Sequence, residues 1–303
     1  MNHWIVQKYL GESAALGVAI SSAVASVIYS RVEDKITPLL LNLSKGLIAF
    51  FLAILTFYLN QQEFPNFFSR ISALLILGGG IGIGLGDTAY FLAMPLVGVR
   101  KLLLLQTLSI PFAILLGSLF LGEYLTMTNW LAMILIIIGI AIVIAERTED
   151  NQQDISWIGI VWSIISALCT ATGAVLSHFA FHNSHITSLD ALFLRLYGAI
   201  AAIFLLLLLP GYKNDRRFFF NFQWLSPKLF WSITLASFLN AYLGIWLQQF
   251  SLKFTTVGVA QILCSTSPLF VLPIVAVMGE KVSIRSIGGV ILTLVGIALL
   301  FSF

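Results

Sequence analysis

The sequence predicts an all-α integral membrane protein in which ten transmembrane helices form two inverted five-helix repeats. Three observations predict this fold. The 303-residue chain is 59% hydrophobic and only 10% charged, with a mean hydropathy of +0.99, whereas a soluble domain carries about 25% charged residues. Ten apolar runs are each close to the roughly 20 residues that cross a bilayer. Finally, the second half of the chain repeats motifs of the first.

The ten apolar runs divide into two groups of five. The first repeat is predicted to occupy residues 1–145 and the second residues 157–303, with a polar linker at 146–156 between them. The predicted helices lie at about 11–30, 37–59, 72–93, 98–120, 127–145, 157–180, 188–209, 229–250, 256–277 and 284–302.

A shift of 157 residues superimposes the end of the first repeat on the end of the second. In each copy a helix with an internal proline runs to a Gly-Glu turn, and the helix that follows ends in Gly-Ile-Ala. Each glutamate is expected to fix the turn and cap the next helix, because negative charge is favourable near a helix N-terminus. The matching pairs are Pro111 and Pro268, Gly122 and Gly279, Glu123 and Glu280, and Gly139 and Gly296.

An odd number of helices in each repeat predicts that the second repeat enters the membrane from the opposite side. Inverted repeats of this kind are typical of transporters, whose pathway lies at the interface of the repeats. Helices 1–4 and 6–9 are expected to enclose a central cavity. Helices 5 and 10 carry no ionisable residue in their apolar spans and are expected to lie at the periphery.

The third predicted helix carries a glycine-rich run from Gly78 to Gly86. A nucleotide-binding loop would need a preceding strand within a βαβ unit, and the surrounding sequence is apolar and helical. Gly78, Gly82 and Gly86 instead share one helical face at four-residue spacing. We therefore interpret this run as a surface that lets a neighbouring helix approach closely.

Several classes of function are disfavoured. The net charge of +3 is small and the basic residues are scattered, which argues against nucleic-acid binding. His178, His182 and His185 could share a helix face, but interfacial histidines explain them better than a metal site does. Cys169 and Cys264 lie in apolar runs and are interpreted as core residues. No cofactor motif or catalytic constellation is found, so an enzyme is not expected.

The order and duplication of these motifs resemble the drug/metabolite transporter superfamily, specifically its ten-helix EamA-type branch. Basic residues in the second helix of each repeat, Lys45 and Arg195, extend the resemblance, as does the stretch Ala89–Ala93. The resemblance implies a secondary carrier of small metabolites. We expect it in the lipid bilayer of the plasma (inner) membrane, with a monomer as the simplest expectation. The resemblance also implies export of small polar metabolites, with amino acids as the leading class. Carriers of nucleotide-sugars or amphipathic drugs are the nearest alternatives, and a membrane enzyme is a more distant one.

Three charged residues lie deep in predicted helices, where an unpaired charge is costly and functional roles are common. Lys45 and Arg195 occupy matching places in the two repeats, so inversion predicts that they serve opposite faces of the membrane. Alternatively, both extend to the interface on their aliphatic stems. Asp87 could carry a proton, bind a substrate ammonium or pair with Lys45.

Uncharged polar and aromatic residues are further candidates for the cavity wall. The amides could hydrogen-bond a zwitterion, or they could form ordinary contacts between helices. Tyr90 and Trp246 could form aromatic walls, or they could simply fill the core. The amide-bearing candidates are Gln106, Asn240, Gln248, Gln249 and Gln261.

Overall fold

The computed structural model describes residues 2–121, 127–144, 156–209, 226–277 and 284–301. The described segments are helical, and we group them in chain order as α1 to α10. The first half holds α1 (Asn2–Ser30), a 3₁₀ turn (Glu33–Lys35), α2 (Pro38–Leu59), α3 (Arg70–Gly79, Gly80–Leu85 and Gly86–Val97), α4 (Val99–Gln106 and Ser109–Leu121) and α5 (Met127–Ile144). The second half holds α6 (Trp157–His182), α7 (Ser188–Leu208), α8 (Pro227–Ser237, Phe238–Gly244 and Ile245–Phe254), α9 (Val257–Cys264 and Ser267–Val277) and α10 (Ile284–Phe301).

Seven of these helices, α1 to α4 and α6 to α8, are long and apolar enough to cross a membrane. Shorter apolar segments at Trp130–Ile142, Val257–Val271 and Ile287–Gly296 lie in α5, α9 and α10. The chain is therefore a multi-pass integral membrane protein. The predicted Gly122–Glu123 and Gly279–Glu280 turns fall outside the described residues, so their capping role stays a prediction.

Helices α4 and α9 differ from the continuous helices that the sequence predicted, because each is broken at the same relative place. The breaks fall at Thr107–Leu108 and at Ser265–Thr266, just before Pro111 and Pro268. A proline lacks the backbone N–H, and its ring clashes with the carbonyl four residues earlier. At both breaks the backbone changes to tighter i to i+3 bonds, such as Thr107 N to Leu104 O at 3.0 Å and Thr266 N to Leu263 O at 3.2 Å.

Helices α3 and α8 also occupy matching places in the two halves, and each contains a π-helical segment, Gly80–Leu85 and Phe238–Gly244. Segments of this kind are rare and often lie at functional sites. Sequence periodicity did not predict them, because a π turn changes the helical register without requiring a particular residue.

The glycine run of α3 provides two contact surfaces. Gly78, Gly82 and Gly86 lie against α6, as predicted; a Cβ added at Gly82 would come within 3.3 Å of the Gly173 Cα atom. Gly79 faces α7 on the other side, where its backbone contacts that of Arg195. Glycines on both partners, Gly82 with Gly173 among them, thus allow the backbones of these helices to approach closely.

The two halves contact each other in a symmetric way: the helix pairs that form in one direction form again when first and second half are exchanged. Helix α1 packs on α8 and α9, and its counterpart α6 packs on α3 and α4. Helix α2 packs on α7 and on α8, while α7 in turn packs on α3. Helices α5 and α10 pair with each other and contact the rest of the bundle through α4 and α9. This agrees with the predicted peripheral position of α5 and α10.

Gly139 and Gly296, of the repeated Gly-Ile-Ala motif, hold the α5–α10 pair together. A Cβ at Gly139 would contact the Thr293 hydroxyl and lie 2.7 Å from the Gly289 carbonyl oxygen. A Cβ at Gly296 would lie 2.9 Å from the Ala132 carbonyl oxygen. Each glycine therefore permits backbone-to-backbone packing at the same interface.

We predict that Gly139→Ala lowers the thermal stability of the protein in detergent, because the added methyl group must displace the α10 backbone. Overpacking of this kind costs about 1–3 kcal/mol. Gly288→Ala is the matched control, since a Cβ at Gly288 on α10 meets no atom within 4 Å. Thermal unfolding of both variants measures the difference. Equal melting temperatures for the two would contradict the role assigned to Gly139.

Candidate functional site

A polar cavity of roughly 140 Å³ lies between the two halves. Seven helices contribute to its wall: α1 to α4, α6, α8 and α9. Among the described residues, α7 contributes none of those that line it, although the sequence predicted that α7 would take part. The sequence-predicted residues that line it are Lys45, Asp87, Tyr90, Gln106, Asn240, Gln248 and Gln261. Their roles in binding stay predictions.

Lys45 and Asp87 form an ion pair across α2 and α3. The ammonium also lies 5.5 Å from the centre of the Phe91 ring, a favourable cation–π distance. The two partners differ in exposure, since the Lys45 side chain is 1% exposed and the Asp87 side chain 27%. Both side chains line the cavity, and the carboxylate is the more exposed partner of the pair.

Asp87 lies two residues after the end of the π-helical segment of α3, Gly80–Leu85. The buried Asn42 side chain on α2 supports the altered hydrogen bonding of this segment. The Asn42 amide donates to the carbonyl oxygens of Ile83 at 3.0 Å and Gly84 at 3.1 Å. Asn42 and Lys45 lie three residues apart on α2, so one face of that helix supports both the π segment and the carboxylate behind it.

The π-helical segment of α8 contributes Asn240, whose amide donates to the Ser22 hydroxyl of α1 at 3.1 Å. Gln106 on α4 similarly donates to Ser166 of α6 at 2.7 Å. Each of these two amides donates one hydrogen bond to the other half of the protein, and the two bonds link the halves at the cavity.

Sequence reasoning missed the hydroxyl-bearing face of α1. Ser22, Ser26 and Tyr29 line the cavity, and their four- and three-residue spacing places them on one side of the helix. Tyr90 donates to Ser26 at 2.9 Å, and the Tyr29 hydroxyl lies 3.4 Å from that of Ser237. A search for small polar residues at helical spacing could have found this face.

Both helix breaks open onto the cavity. Ser109 follows the break in α4, while Cys264, Ser265 and Ser267 surround the break in α9. The side chains near these breaks satisfy nearby carbonyls: Thr107 donates to Leu104 O at 2.7 Å. Irregular backbone within a membrane is tolerated where it borders a polar cavity.

Arg195 and Trp246 lie away from the cavity. Arg195 is 3% exposed and donates to the Ser177 hydroxyl at 3.1 Å, while a second guanidinium nitrogen lies against Gly82 and Gly173. Trp246 packs against Tyr242, with ring centroids 5.7 Å apart, on the core face of α8. Their contacts in this structure are those of packing and structural hydrogen bonding.

The remaining candidates also have structural surroundings. His178 contacts the Leu252 carbonyl oxygen at 3.1 Å, and among the described residues no group of side chains could hold a metal ion. Gln249 is fully buried in α8 beside Gln248, but does not line the cavity.

Glu33 lies in the 3₁₀ turn between α1 and α2, just beyond Tyr29. One of its carboxylate oxygens is buried without a hydrogen-bond partner. Burial, followed by repulsion from Asp34, raises the pKa of Glu33 from 4.5 to about 7. This carboxylate therefore changes charge near neutral pH.

Comparison with known proteins identifies one family. The model of the EamA-like transporter family matches residues 9–145 and residues 157–302. No curated protein shows a significant match. Among 28 matching chains of solved structures, one titled "Crystal structure of protein" aligns with a TM-score of 0.64 and 14% identity. That alignment covers 95% of this chain and 96% of the other, and at this identity it shows a shared fold only.

We predict that Asp87→Asn destabilises the protein more than Lys45→Met. The first change leaves a buried ammonium without its counter-charge, and removing one partner of a buried pair typically costs about 3–5 kcal/mol. The second leaves a carboxylate that retains access to water through the cavity. Thermal unfolding in one detergent at neutral pH measures the order, and the double variant should recover part of the loss. Equal losses, or a larger loss for Lys45→Met, would contradict the asymmetry.

We also predict that protein stability falls as the pH rises from about 4.5 to about 7, the ordinary and folded-state pKa values of Glu33. In this window the folded protein holds a proton that the unfolded chain has lost, so each rise in pH favours unfolding. Glu33→Gln should flatten this part of the curve. Glu63→Gln, a change at an exposed carboxylate between α2 and α3, is the control and should leave the slope intact. Melting temperatures across pH 4.5–8 provide the measurement.

Proposed function

Because the chain belongs to the EamA-like transporter family, we propose that it is a secondary transporter of small polar metabolites, exporting amino acids or related compounds by alternating access. The observation that carries this proposal is the polar cavity between the two halves of an otherwise apolar bundle. Substrate sites of secondary transporters lie at repeat interfaces and are commonly formed by discontinuous helices. The cavity, with the breaks in α4 and α9 at its wall, has both properties.

The proposed architecture is ten membrane spans in two inverted repeats. The symmetric exchange of contacts between α1–α8 and α6–α3, and the matching π segments and breaks, support a two-fold relation between the halves. The shorter apolar segments of α5, α9 and α10 complete the five spans of each repeat. We place this bundle in the plasma membrane as a monomer surrounded by lipid.

The proposed substrates carry an amine. Asp87 and Lys45 both line the cavity, and Asp87 is the more exposed of the two charged groups. A substrate ammonium can therefore bind the exposed side of the Asp87 carboxylate while Lys45 keeps its contact with Oδ2. Binding of this kind adds a positive charge to the contact between α2 and α3, and a ligand shifts a conformational equilibrium by its difference in affinity for the two states.

The cavity dimensions favour small solutes over the alternatives. A volume of roughly 140 Å³ compares with the 150 Å³ or so that accommodates benzene in a protein interior. A nucleotide-sugar is several times larger and carries two phosphates, for which a single neutralised lysine is a poor partner. An amphipathic drug would need a larger apolar wall. A membrane enzyme would need a nucleophile and base in contact, and among the described lining residues the ionised pair is Lys45–Asp87.

The sequence motifs and the cavity residues also bear on the source of energy for transport. The chain carries no motif typical of ATP binding, so we propose that movement is downhill or coupled to an ion gradient. Asp87 is the candidate for proton coupling, since one carboxylate can bind either a proton or an amine but not both.

We predict that purified protein in liposomes takes up amine-bearing metabolites from a broad panel, and that Asp87→Asn lowers the apparent affinity for them about ten- to a hundredfold. This range corresponds to the loss of a hydrogen bond to a charged group, about 1.5–3 kcal/mol. Asp87→Glu should restore part of the affinity, and Glu63→Gln is the control for loss of charge elsewhere. Variant levels in the liposomes are matched before uptake is compared. Transport of no solute, together with a turnover reaction, would favour the enzyme instead.

A further inference from the structure

A second cavity, which we call the edge groove, lies between the α1–α2 turn and the start of α8. It has a volume of roughly 370 Å³. It is distinct from the central cavity, since the described residues that line the one do not line the other. The edge groove is lined by Ile28, Arg31, Val32, Lys35, Ser226, Lys228, Leu229, Ser232 and Leu235.

Three basic side chains mark the end of the groove that faces the membrane surface. Arg31 and Lys35 lie in the turn between the spans of α1 and α2, and Lys228 is the second residue of the α8 span. All three are exposed. Trp231, three residues after Lys228 on α8, is 68% exposed, and exposed tryptophans are typical of the lipid headgroup level. The basic end of the groove therefore lies where lipid headgroups lie.

These bases converge without counter-charges. In the part of the chain that the structure describes, none of the three side chains forms an ion pair or a side-chain hydrogen bond. Glu33 and Asp34 lie between Arg31 and Lys35 in the sequence, yet neither lines the groove, and one Glu33 carboxylate oxygen is buried. A cleft lined by charges of one sign concentrates its field and attracts the opposite charge. The groove therefore favours an anion.

The groove changes from basic to apolar with depth in the membrane. Ile28 lies about one turn deeper than Arg31 on α1, and Leu235 lies seven residues beyond Lys228 on α8, or about 10 Å deeper at 1.5 Å per residue. Leu235 is 53% exposed. A ligand with an anionic head and an apolar chain matches both ends of the groove, whereas a soluble phosphate matches only the basic end.

We propose that the edge groove binds the phosphate headgroup of an anionic phospholipid, with an acyl chain along Ile28 and Leu235. Hydrogen bonds from lysine and arginine to phosphate are charge-assisted, and basic pockets between transmembrane helices bind anionic headgroups. Arg31 and Lys35 belong to the first half of the protein and Lys228 to the second, so a bound headgroup joins the two halves. This lipid site does not depend on the solute that the central cavity transports.

The test measures lipid binding to the full-length protein in detergent by native mass spectrometry. Dioleoylphosphatidylglycerol carries a net negative charge. Dioleoylphosphatidylcholine has the same chains and phosphodiester, but its choline neutralises the charge. Glycerol 3-phosphate offers a phosphate without chains. Each probe is titrated against the wild-type protein, Lys228→Gln, the triple variant with Arg31→Gln, Lys35→Gln and Lys228→Gln, and Arg70→Gln.

Arg70→Gln is the control for loss of a surface charge. Arg70 is an exposed base at the first position of α3. It follows the end of α2 that is remote from the α1–α2 turn, so it lies on the opposite side of the membrane from the edge groove.

The wild-type protein should bind phosphatidylglycerol about a hundredfold more tightly than phosphatidylcholine, because each base near the surface contributes about fivefold to the attraction of an anionic lipid. Lys228→Gln should weaken phosphatidylglycerol binding about fivefold, and the triple variant should lose the preference. Arg70→Gln should keep the wild-type affinity. Glycerol 3-phosphate should bind more weakly than phosphatidylglycerol, since it leaves the apolar end of the groove empty.

Three outcomes would overturn the proposal. Equal affinity of the wild-type protein for the two lipids would mean that the groove does not select an anionic headgroup. Equal losses in Arg70→Gln and Lys228→Gln would mean that the overall charge of the protein, and not the groove, attracts the lipid. Glycerol 3-phosphate that binds as tightly as phosphatidylglycerol, and loses its affinity in the triple variant, would assign the groove to a soluble phosphate instead of a lipid.

Discussion

A polar backbone group inside a bilayer has no water to bind, so each one must find its partner within the protein. The rest of this structure depends on that constraint. In the described helices the π segments and the breaks form two matching pairs. The breaks in α4 and α9 and the π segment of α8 border the cavity, and the π segment of α3 ends two residues before Asp87. Carbonyls near them are satisfied by side chains, as by Asn42 at the π segment of α3. The same departures from regular helix that are costly in lipid bring Asp87, Ser109 and Ser267 to one cavity lined by polar side chains.

Much of the fold could be predicted because a helix that crosses lipid must be apolar and about 20 residues long. The duplication gave a second copy against which each predicted helix could be compared. The small-residue surface of α3 followed from the spacing of Gly78, Gly82 and Gly86. The π segments could not be predicted, since hydrogen-bond register leaves no periodic signal. The helix breaks could have been inferred from Pro111 and Pro268, but a proline may either kink or interrupt a helix, and packing decides between them.

The candidate site shows the same division. Charged and amide side chains in apolar runs are conspicuous because burying them in a membrane is costly. This criterion identified Lys45, Asp87 and Gln261. To tell a cavity residue from a core residue, one must know how each helix is rotated about its axis, which the sequence does not give. For this reason Arg195 and Trp246 were predicted in the cavity wall but lie elsewhere. The serines of α1 were overlooked because one hydroxyl in a membrane helix commonly bonds its own backbone, as Ser21 does to Val18 at 3.1 Å. Only the fact that these side chains lie on one face of α1 indicates that they line a cavity.

Among the described residues the ion pair has no equivalent in the second half. Under the 157-residue shift Asp87 corresponds to Gly244. Arg195, which lies in the corresponding helix of the second repeat to Lys45, donates to a serine instead. In the proposed alternating-access cycle, a duplicated scaffold with one carboxylate among the described cavity residues would make the inward- and outward-facing forms unequal in energy. For a carrier built in this way, half-saturation on the two sides of the membrane occurs at different solute concentrations. Detailed balance still requires the ratio of maximal rate to half-saturation constant to be equal on both sides when no gradient is present. In such a carrier the asymmetry determines which form of the empty protein is more populated, and the gradients determine the direction of net solute movement.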